Sequence, residues 1–437
     1  MKENVNYQSE LSTYDLLNDR LKLTLAFSKR YQMSTAICYL RMHLPSVLAD
    51  NKETEIETAL SCIIVTRLKR SLRDIDTVIR LNRTDYFLAI ADITEADCKI
   101  ICERIMNSIS DTYTIEFNQF NISCNLGVCM YPYGSEDIQE LQSFSKTQMY
   151  EAEIMGENVF SIYKGKLNET AYRRVMIEND LPYALRKKQM EIVYQPQYHL
   201  NEQRVVGIES LIRWNHPILG VIPPNEFIQD ADNAGVLKDV FFWLLDEACK
   251  NIANDNTYSN IKYSVNLSVN QLLLDGFVKK VSQVLLKHKV SANKITLELT
   301  EENEIYKDMF KRVSKTLSDL KEKGFTIALD DFGNGYFSFY NFTNLPIDSI
   351  KLDRNLVLSL IKNKHHKNVI APIIMMAHNL KFQVIIEGIE DIDQLEDWRK
   401  MKVDVIQGYF ISKPVPFSKL QKAINDAEKR LSYKNIT

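Results

Sequence analysis

Two adjacent carboxylates, Asp330 and Asp331, stand where the short apolar run Thr326 to Leu329 gives way to Phe332, Gly333, Asn334 and Gly335. An apolar run that stops on acid and then on glycine reads as a buried strand opening into a loop. Successive side chains on a strand diverge, so neighbouring carboxylates can share cations only where the pleat breaks. The glycines, which take positive φ at little cost, are expected to supply that break. A second strand, Ser349 to Asp353, then presents Lys351. Paired Asp, a glycine turn and a following Lys suit hard-metal phosphoryl chemistry. An Asp cap at a turn beside a surface lysine is the plainer reading of the same residues.

The elements that must position these groups run from Glu191 onward. Eight strand-like runs follow one another: EIVYQ, VVGIESLIR, IKYSVNLS, KITLELTE, TIALDD, SIKLD, QVIIEG and VDVIQG. Helical patterns separate most of them, over 227–254, 272–288, 310–323, 368–380 and 392–400. Strand and helix alternating eight times predicts a (β/α)8 barrel, so the fold class is α/β in this half. Each strand bears a polar group in its body or at its end: Gln195, Glu209, Asn266, Glu298, Asp330 with Asp331, Lys351, Glu387 and Gln407. Barrel enzymes build their sites from the ends of several strands. Buried charge is costly unless compensated, and a cation cluster would offset that cost.

The 437 residues suffice for two to three domains. With 45% hydrophobic and 25% charged residues and a net charge of −3, the chain has no electrostatic footprint for a nucleic-acid polymer or an anionic membrane. No apolar run approaches the ~18 residues of a membrane span, and the polar start is unlike a signal peptide. A cytoplasmic protein is expected. Its seven cysteines, six of them before residue 130, read as reduced thiols rather than a disulfide or metal framework. Residues 1–163 alternate helix and strand as an α+β domain: helix 16–31, strand 35–41, helix 53–72, a hairpin over 76–91, helix 95–110 and strand 120–131. Residues 164–190 read as a connecting helix, and 191–437 as the barrel domain.

The runs DTVIRLNRTDYFLAI and ISCNLGVCMYPYG, with the segment after them, resemble a GGDEF domain, the diguanylate cyclase (nucleotidyl-cyclase-like) fold. The family's Gly-Gly-Asp-Glu-Phe turn is here Asn82, Arg83, Thr84, Asp85 and Tyr86. Both glycines are gone, and with them the close backbone approach to a nucleotide. The metal-binding Asp of the family's first strand is missing where Cys38 to Arg41 stand. Two positions basic in the family are Glu153 and Glu157, which would repel phosphate. The resemblance therefore implies a degenerate, non-cyclising regulatory or dimerisation domain. Arg73 and Asp76 keep the spacing of the family's inhibitory product-binding pair. They form a possible allosteric nucleotide site, or simply a helix-end Arg and a turn Asp.

A second resemblance covers 192–417. IESLIRWNHP around Glu209, SVNLS, ELTE, DDFGNG, IKLDR, EGIE and QGYFISKP are similar, in order, to the EAL family of cyclic di-GMP phosphodiesterases. The resemblance implies that Glu209, Asn266, Glu298 and Asp330 bind one metal, and that Asp330, Asp331 and Glu387 surround a second. The ions would be Mg²⁺ or Mn²⁺, two per barrel. Lys351 matches the lysine near the attacking water and Gln407 a residue that orients water at the metals. Arg213 matches the substrate-phosphate arginine, with Gln195, Leu211 and Asp353 as further substrate contacts. Glu301 matches a glutamate that braces the DDFG loop. Departures fall at Ser210, Asp232, Asn334 and Phe337, none of them a ligand position. The implied activity is hydrolysis of cyclic di-GMP to linear pGpG. A non-catalytic cyclic di-GMP receptor acting through protein partners is the alternative. The altered loop and the aromatic Phe339, Tyr340 and Phe342 suggest a homodimer formed through this segment. A protein partner could also dock on the first domain.

Overall fold

The computed structural model describes residues 13–45, 55–115, 118–254, 260–300, 307–332, 343–354, 356, 364–391 and 393–432. The chain divides into two compact units, Met1–Asp180 and Leu181–Thr437. Asn334, Phe337, Phe339, Tyr340 and Phe342, on which the dimer expectation rests, lie outside the described residues, as does Glu301.

In the first unit Thr35–His43 (β1), Thr77–Arg80 (β2), Asp85–Ala91 (β3), Ser123–Tyr131 (β6) and Phe160–Ile162 (β7) form one sheet in the order β2-β3-β1-β6-β7. Tyr113–Ile115 (β4) and Asn118–Phe120 (β5) make a separate hairpin. Both faces of the sheet are covered, so β1 is buried along most of its length yet still obeys the period of two. Ala36, Cys38, Leu40 and Met42 join one core with Leu60, Ile64 and Leu68 of the helix Glu55–Arg70 and Cys98, Cys102 and Ile105 of the helix Glu95–Ser110. Ile37 and Tyr39 join the opposite core with Leu17, Leu21 and Leu25 of the helix Thr13–Tyr31 and Leu141, Met149 and Tyr150 of the helix Ile138–Met155. The helix Glu169–Ala184 is shorter than the pattern over 164–190 suggests. Its Ala171 and Val175 pack into that second core, and Pro182 lies inside it near its end. All seven cysteines are free thiols, six of them buried and Cys62 exposed.

The second unit closes into an eight-stranded barrel. Its staves are Met190–His199 (β8), Arg204–His216 (β9), Lys262–Leu267 (β11), Ile295–Thr300 (β12), Thr326–Phe332 (β13), Ser349–Leu352 (β14), Gln383–Ile386 (β15) and Val405–Ile406 (β16). Gly220–Ile222 (β10) and Val415–Pro416 (β17) extend it by pairing with β9 and β8. The TIM-type architecture is as the alternation predicts, with one change of direction. β8 runs antiparallel to both its neighbours, β9 and β16, while β9 and β11 to β16 are mutually parallel. The cause is the connection. β8 and β9 are joined by a tight turn with Gln203 at φ 55°, and a hairpin must reverse the chain where a helical crossover would not. The helix expected over 227–254 is split at Gly235, with left-handed φ, into Ile228–Asn233 and Leu237–Ala253. The one expected over 272–288 begins only at Phe277, after Gly276 with left-handed φ and the short helix Val269–Leu272. Along the parallel staves Val265, Leu267, Leu297, Leu299, Ile327 and Leu329 are buried, and the residues alternating with them carry the polar groups.

Candidate active site

Alternation along each stave decides which groups converge. Asn266 on β11 is registered with Glu298 on β12, and Thr300 with Asp330 on β13. On the antiparallel pair, Gln195 of β8 lies directly opposite Glu209 of β9. Glu209, Leu211 and Arg213 alternate along β9 and so share a face.

Lys351, on β14, is the centre. It is fully buried, and its Nζ lies 2.7 Å from Glu387 Oε1, 2.8 Å from Glu298 Oε2, 3.0 Å from Asp330 Oδ1 and 3.7 Å from Glu209 Oε1. The plain reading of a surface lysine is thus excluded. Two triads of carboxylate oxygens, each within 4.8 Å, share one member: Glu209, Glu298 and Asp330, then Asp330, Asp331 and Glu387. Asn266 donates from Nδ2 to Glu209 Oε1 at 3.3 Å, while its Oδ1 is buried with no hydrogen-bond partner. Gln407, just beyond β16, donates from Nε2 to Gln195 Oε1 at 3.1 Å and to Glu209 Oε2.

Asp331 itself breaks the pleat; the glycines after it, expected to supply a break, lie outside the described residues. Asp331 sits at φ 55°, the register of β13 against β14 shifts between Leu329 and Phe332, and Asp331 donates its amide to Asp330 Oδ1 at 3.0 Å. Aspartate tolerates this left-handed backbone better than most residues, so the acid makes its own bulge and both carboxylates turn to one site.

Crowding five carboxylates around one ammonium sets their protonation. Burial pushes Glu298 well above the usual carboxylate range and raises Asp330, and the pull of Lys351 does not undo either. Burial likewise pushes Glu387 up to about 8. Burial acts to raise Glu209 too, but Lys351 and the donors Gln407 and Asn266 outweigh it and hold that carboxyl low. For Lys351 burial would favour the neutral amine, and the surrounding carboxylates reverse this. Fully ionised, five carboxylates against one ammonium leave four negative charges, which two divalent cations would balance. With an orphaned amide oxygen and an all-oxygen donor set, the residues fit a pair of hard divalent ions.

The other expected contacts are placed as follows. Gln195 is buried and donates from Nε2 to the Ser412 carbonyl at 3.0 Å. Leu211 is half-buried. Arg213 is half-buried, and its Nη1 donates to the Ile212 carbonyl at 2.7 Å. Asp353 is buried, and its Oδ1 accepts the Leu356 amide at 3.4 Å.

Comparison with known proteins fixes the family. Residues 178–414, more than half the chain, match the EAL domain. The chain belongs to the EAL-domain family. Residues 59–159 match the diguanylate cyclase GGDEF domain. The bifunctional diguanylate cyclase/cyclic di-GMP phosphodiesterase MucR of Pseudomonas aeruginosa is 27% identical over 411 residues, covering 94% of this chain and 60% of that protein. The cyclic di-GMP phosphodiesterase NbdA of the same organism is 28% identical over 363 residues, covering 82% and 46%. The chain therefore spans about half the length of the curated relatives it matches. Among solved structures, the PaMucR phosphodiesterase in complex with c-di-GMP superposes with a TM-score of 0.53 at 30% identity, covering 56% of this chain and 99% of that one. The EAL enzyme Bd1971, in its cAMP- and cyclic-di-GMP-bound form, gives 0.54 at 28%, covering 59% and 70%.

In the first unit, the turn over residues 82–86 of this GGDEF-like sequence is held by side chains. Asn82 Oδ1 accepts the amides of Thr84 and Asp85, each at 2.8 Å. Asp85 accepts from Arg41 Nε and Nη2, both at 2.9 Å, and from the Tyr39 hydroxyl at 2.7 Å. Arg41 Nη1 donates to the Tyr150 hydroxyl at 2.7 Å. Sequence reasoning noted the missing metal-binding Asp near Arg41 but not that the guanidinium itself would pair with Asp85. Asp76 turns its carboxylate onto the amides of Arg73, at 2.8 Å, and Ala91, at 3.3 Å, while Arg73 is exposed.

Proposed function

We propose that the barrel hydrolyses one phosphodiester of cyclic di-GMP to linear pGpG, using two Mg²⁺ or Mn²⁺ ions. The observation that carries this is the pair of carboxylate triads sharing Asp330, with Lys351 buried between them. The family membership and the activities of its named relatives support the substrate. Glu209, Asn266, Glu298 and Asp330 would hold one ion, and Asp330, Asp331 and Glu387 the other. When bound, such a pair supplies Lewis-acid activation of the phosphate and a nucleophile at neutral pH. Lys351 Nζ donates to the attacking water and to charge growing on phosphorus. Gln407 orients that water and braces Glu209. Arg213 binds a substrate phosphate, and Gln195, Leu211 and Asp353 line the approach. Glu301 would brace the loop after Asp331.

The first unit, over residues 1–163, is read as a non-cyclising regulator joined through 164–190 to the barrel at 191–437. A homodimer is expected. The decisive experiment incubates the full chain with cyclic di-GMP and Mg²⁺ or Mn²⁺ and resolves the nucleotides. pGpG should accumulate, and Glu209→Ala should abolish it with circular dichroism unchanged. Binding of cyclic di-GMP without turnover at either metal would instead identify a receptor.

A further inference from the structure

The polar groups of the barrel include one whose partners point inward and which the resemblance does not use. Gln197, on β8, is 6% exposed, and its Nε2 donates to Gln407 Oε1 at 2.8 Å. We propose that Gln197 is a positioning residue for the metal site: by pairing the buried Oε1 of Gln407 it holds that amide in place, and through it the Glu209 carboxylate. This rests on the two-metal reading above.

The direction of every amide in this chain follows from two groups that can only accept. The Ser412 carbonyl takes Gln195 Nε2, so Gln195 presents Oε1 to Gln407. The ionised Glu209 carboxylate takes Gln407 Nε2, so Gln407 presents its NH2 group to both Gln195 and Glu209. That leaves Gln407 Oε1 buried and in need of a donor, which Gln197 Nε2 supplies. Without it, Gln407 Oε1 is buried and unpaired, and the amide is held at its Nε2 end alone. Turned over, it would set an oxygen against the Glu209 carboxylate, acceptor against acceptor.

Backbone register explains how Gln197 reaches Gln407. Gln195 and Gln197 are two residues apart on β8 and share its face, Gln195 opposite Glu209 and Gln197 opposite Gly207. Gly207 is absent from the residues at positive φ, so its role is not conformational freedom. A Cβ there would come within 2.2 Å of Gln197 Oε1. The missing side chain is the space in which Gln197 lies. Supporting groups of this kind hold metal ligands in place, and their loss weakens metal affinity by about 10–100-fold.

The test uses the full chain and Mn²⁺, with binding read by calorimetry in the absence of nucleotide. Gln197→Leu should raise the Mn²⁺ dissociation constant by about 10–100-fold. KM for cyclic di-GMP at saturating metal should stay unchanged, because the hydrogen bond Gln197 makes goes to Gln407 and to none of the proposed substrate contacts. In a Gln407→Leu background the same change should add nothing, since both act through one contact. Gly207→Ala, which removes no polar group, should weaken Mn²⁺ binding in the same direction. Should Gln197→Leu fail to fold, Gly207→Ala decides on the same readout. Mn²⁺ affinity within about twofold of the unchanged chain, or losses that add in the double variant, overturns the assignment. Failure of the two-metal reading is seen separately, as hydrolysis that survives Glu209→Ala.

Discussion

Glu387 shows what the metal-free site costs the fold. Its carboxyl is pushed up to about 8 by burial and by the neighbouring Asp330 and Glu209, against the pull of Lys351. A carboxyl whose folded value lies above its unfolded one binds more protons folded than unfolded between the two. Stability is therefore present below the unfolded value and declines as pH rises toward the folded one. With a chelator present, the barrel should lose stability between pH 5.5 and 8, by at most about 1.4 kcal/mol per pH unit for this group, seen as a falling thermal midpoint. Mg²⁺ should restore it, by an increment that grows with pH because metal displaces the protons. Glu387→Gln should flatten the chelated profile. A chelated midpoint that is level or rising over the window contradicts the argument. The carboxylates themselves were legible in the sequence, because acid at strand ends is unusual and its order matched a family. Gln197 was not, since a glutamine two residues from another carries no chemical signal until the position of Gln407 is known.

Secondary-structure elements add what side-chain identity cannot. The eight staves could be counted from period-two runs, but the direction of β8 could not, because it depends on the turn at residues 200–203 rather than on the strand. The same holds for the bulge at the end of β13. Glycines seemed the natural place for a break, yet Asp331 takes the left-handed backbone itself. That position has two separable roles, shape and charge. Asp331→Asn keeps a residue that tolerates the conformation and removes the charge, so the fold should persist while calorimetry counts one Mn²⁺ in place of two. Hydrolysis should drop by more than the about 10–100-fold typical of supporting residues. Asp331→Ala should lose the same ion and also about 1–2 kcal/mol of stability from the strained backbone. Equal stability of the two variants would show that the bulge does not depend on the residue at 331. Two ions bound to Asp331→Ala would remove this side chain from the ligand set.

At the scale of the molecule, the two units have opposite electrostatic designs. The barrel gathers carboxylates in excess of the buried Lys351, whereas the first unit pairs Asp85 with Arg41. Arg41 is held charged by Asp85 against the penalty of burial, and Asp85 is held low by Arg41 although burial would raise it. An Asp whose folded value is depressed contributes stability above its unfolded value and loses it as pH falls through the folded one, so this pair is lost only in acid. Asp85→Ala removes the nearest carboxylate from Arg41, leaving Glu178 at 3.6 Å and Glu153 at 3.9 Å, and should cost the first unit about 1.5–3 kcal/mol. The barrel's Mn²⁺ binding should be unaffected, since its ligands all lie beyond residue 208. The same pairing argues against cyclase chemistry. Asp85 stands in the turn where the family places its signature, and its carboxylate is already committed to Arg41, Tyr39 and Asn82. A divalent ion bound there would have to displace a guanidinium that makes two hydrogen bonds to it. GTP with Mg²⁺ or Mn²⁺ should therefore yield no cyclic di-GMP. The assay is best run on Glu209→Ala, in which hydrolysis cannot conceal a product. Synthesis that appears in that variant and disappears on adding Asp85→Ala would restore a catalytic role to the first unit.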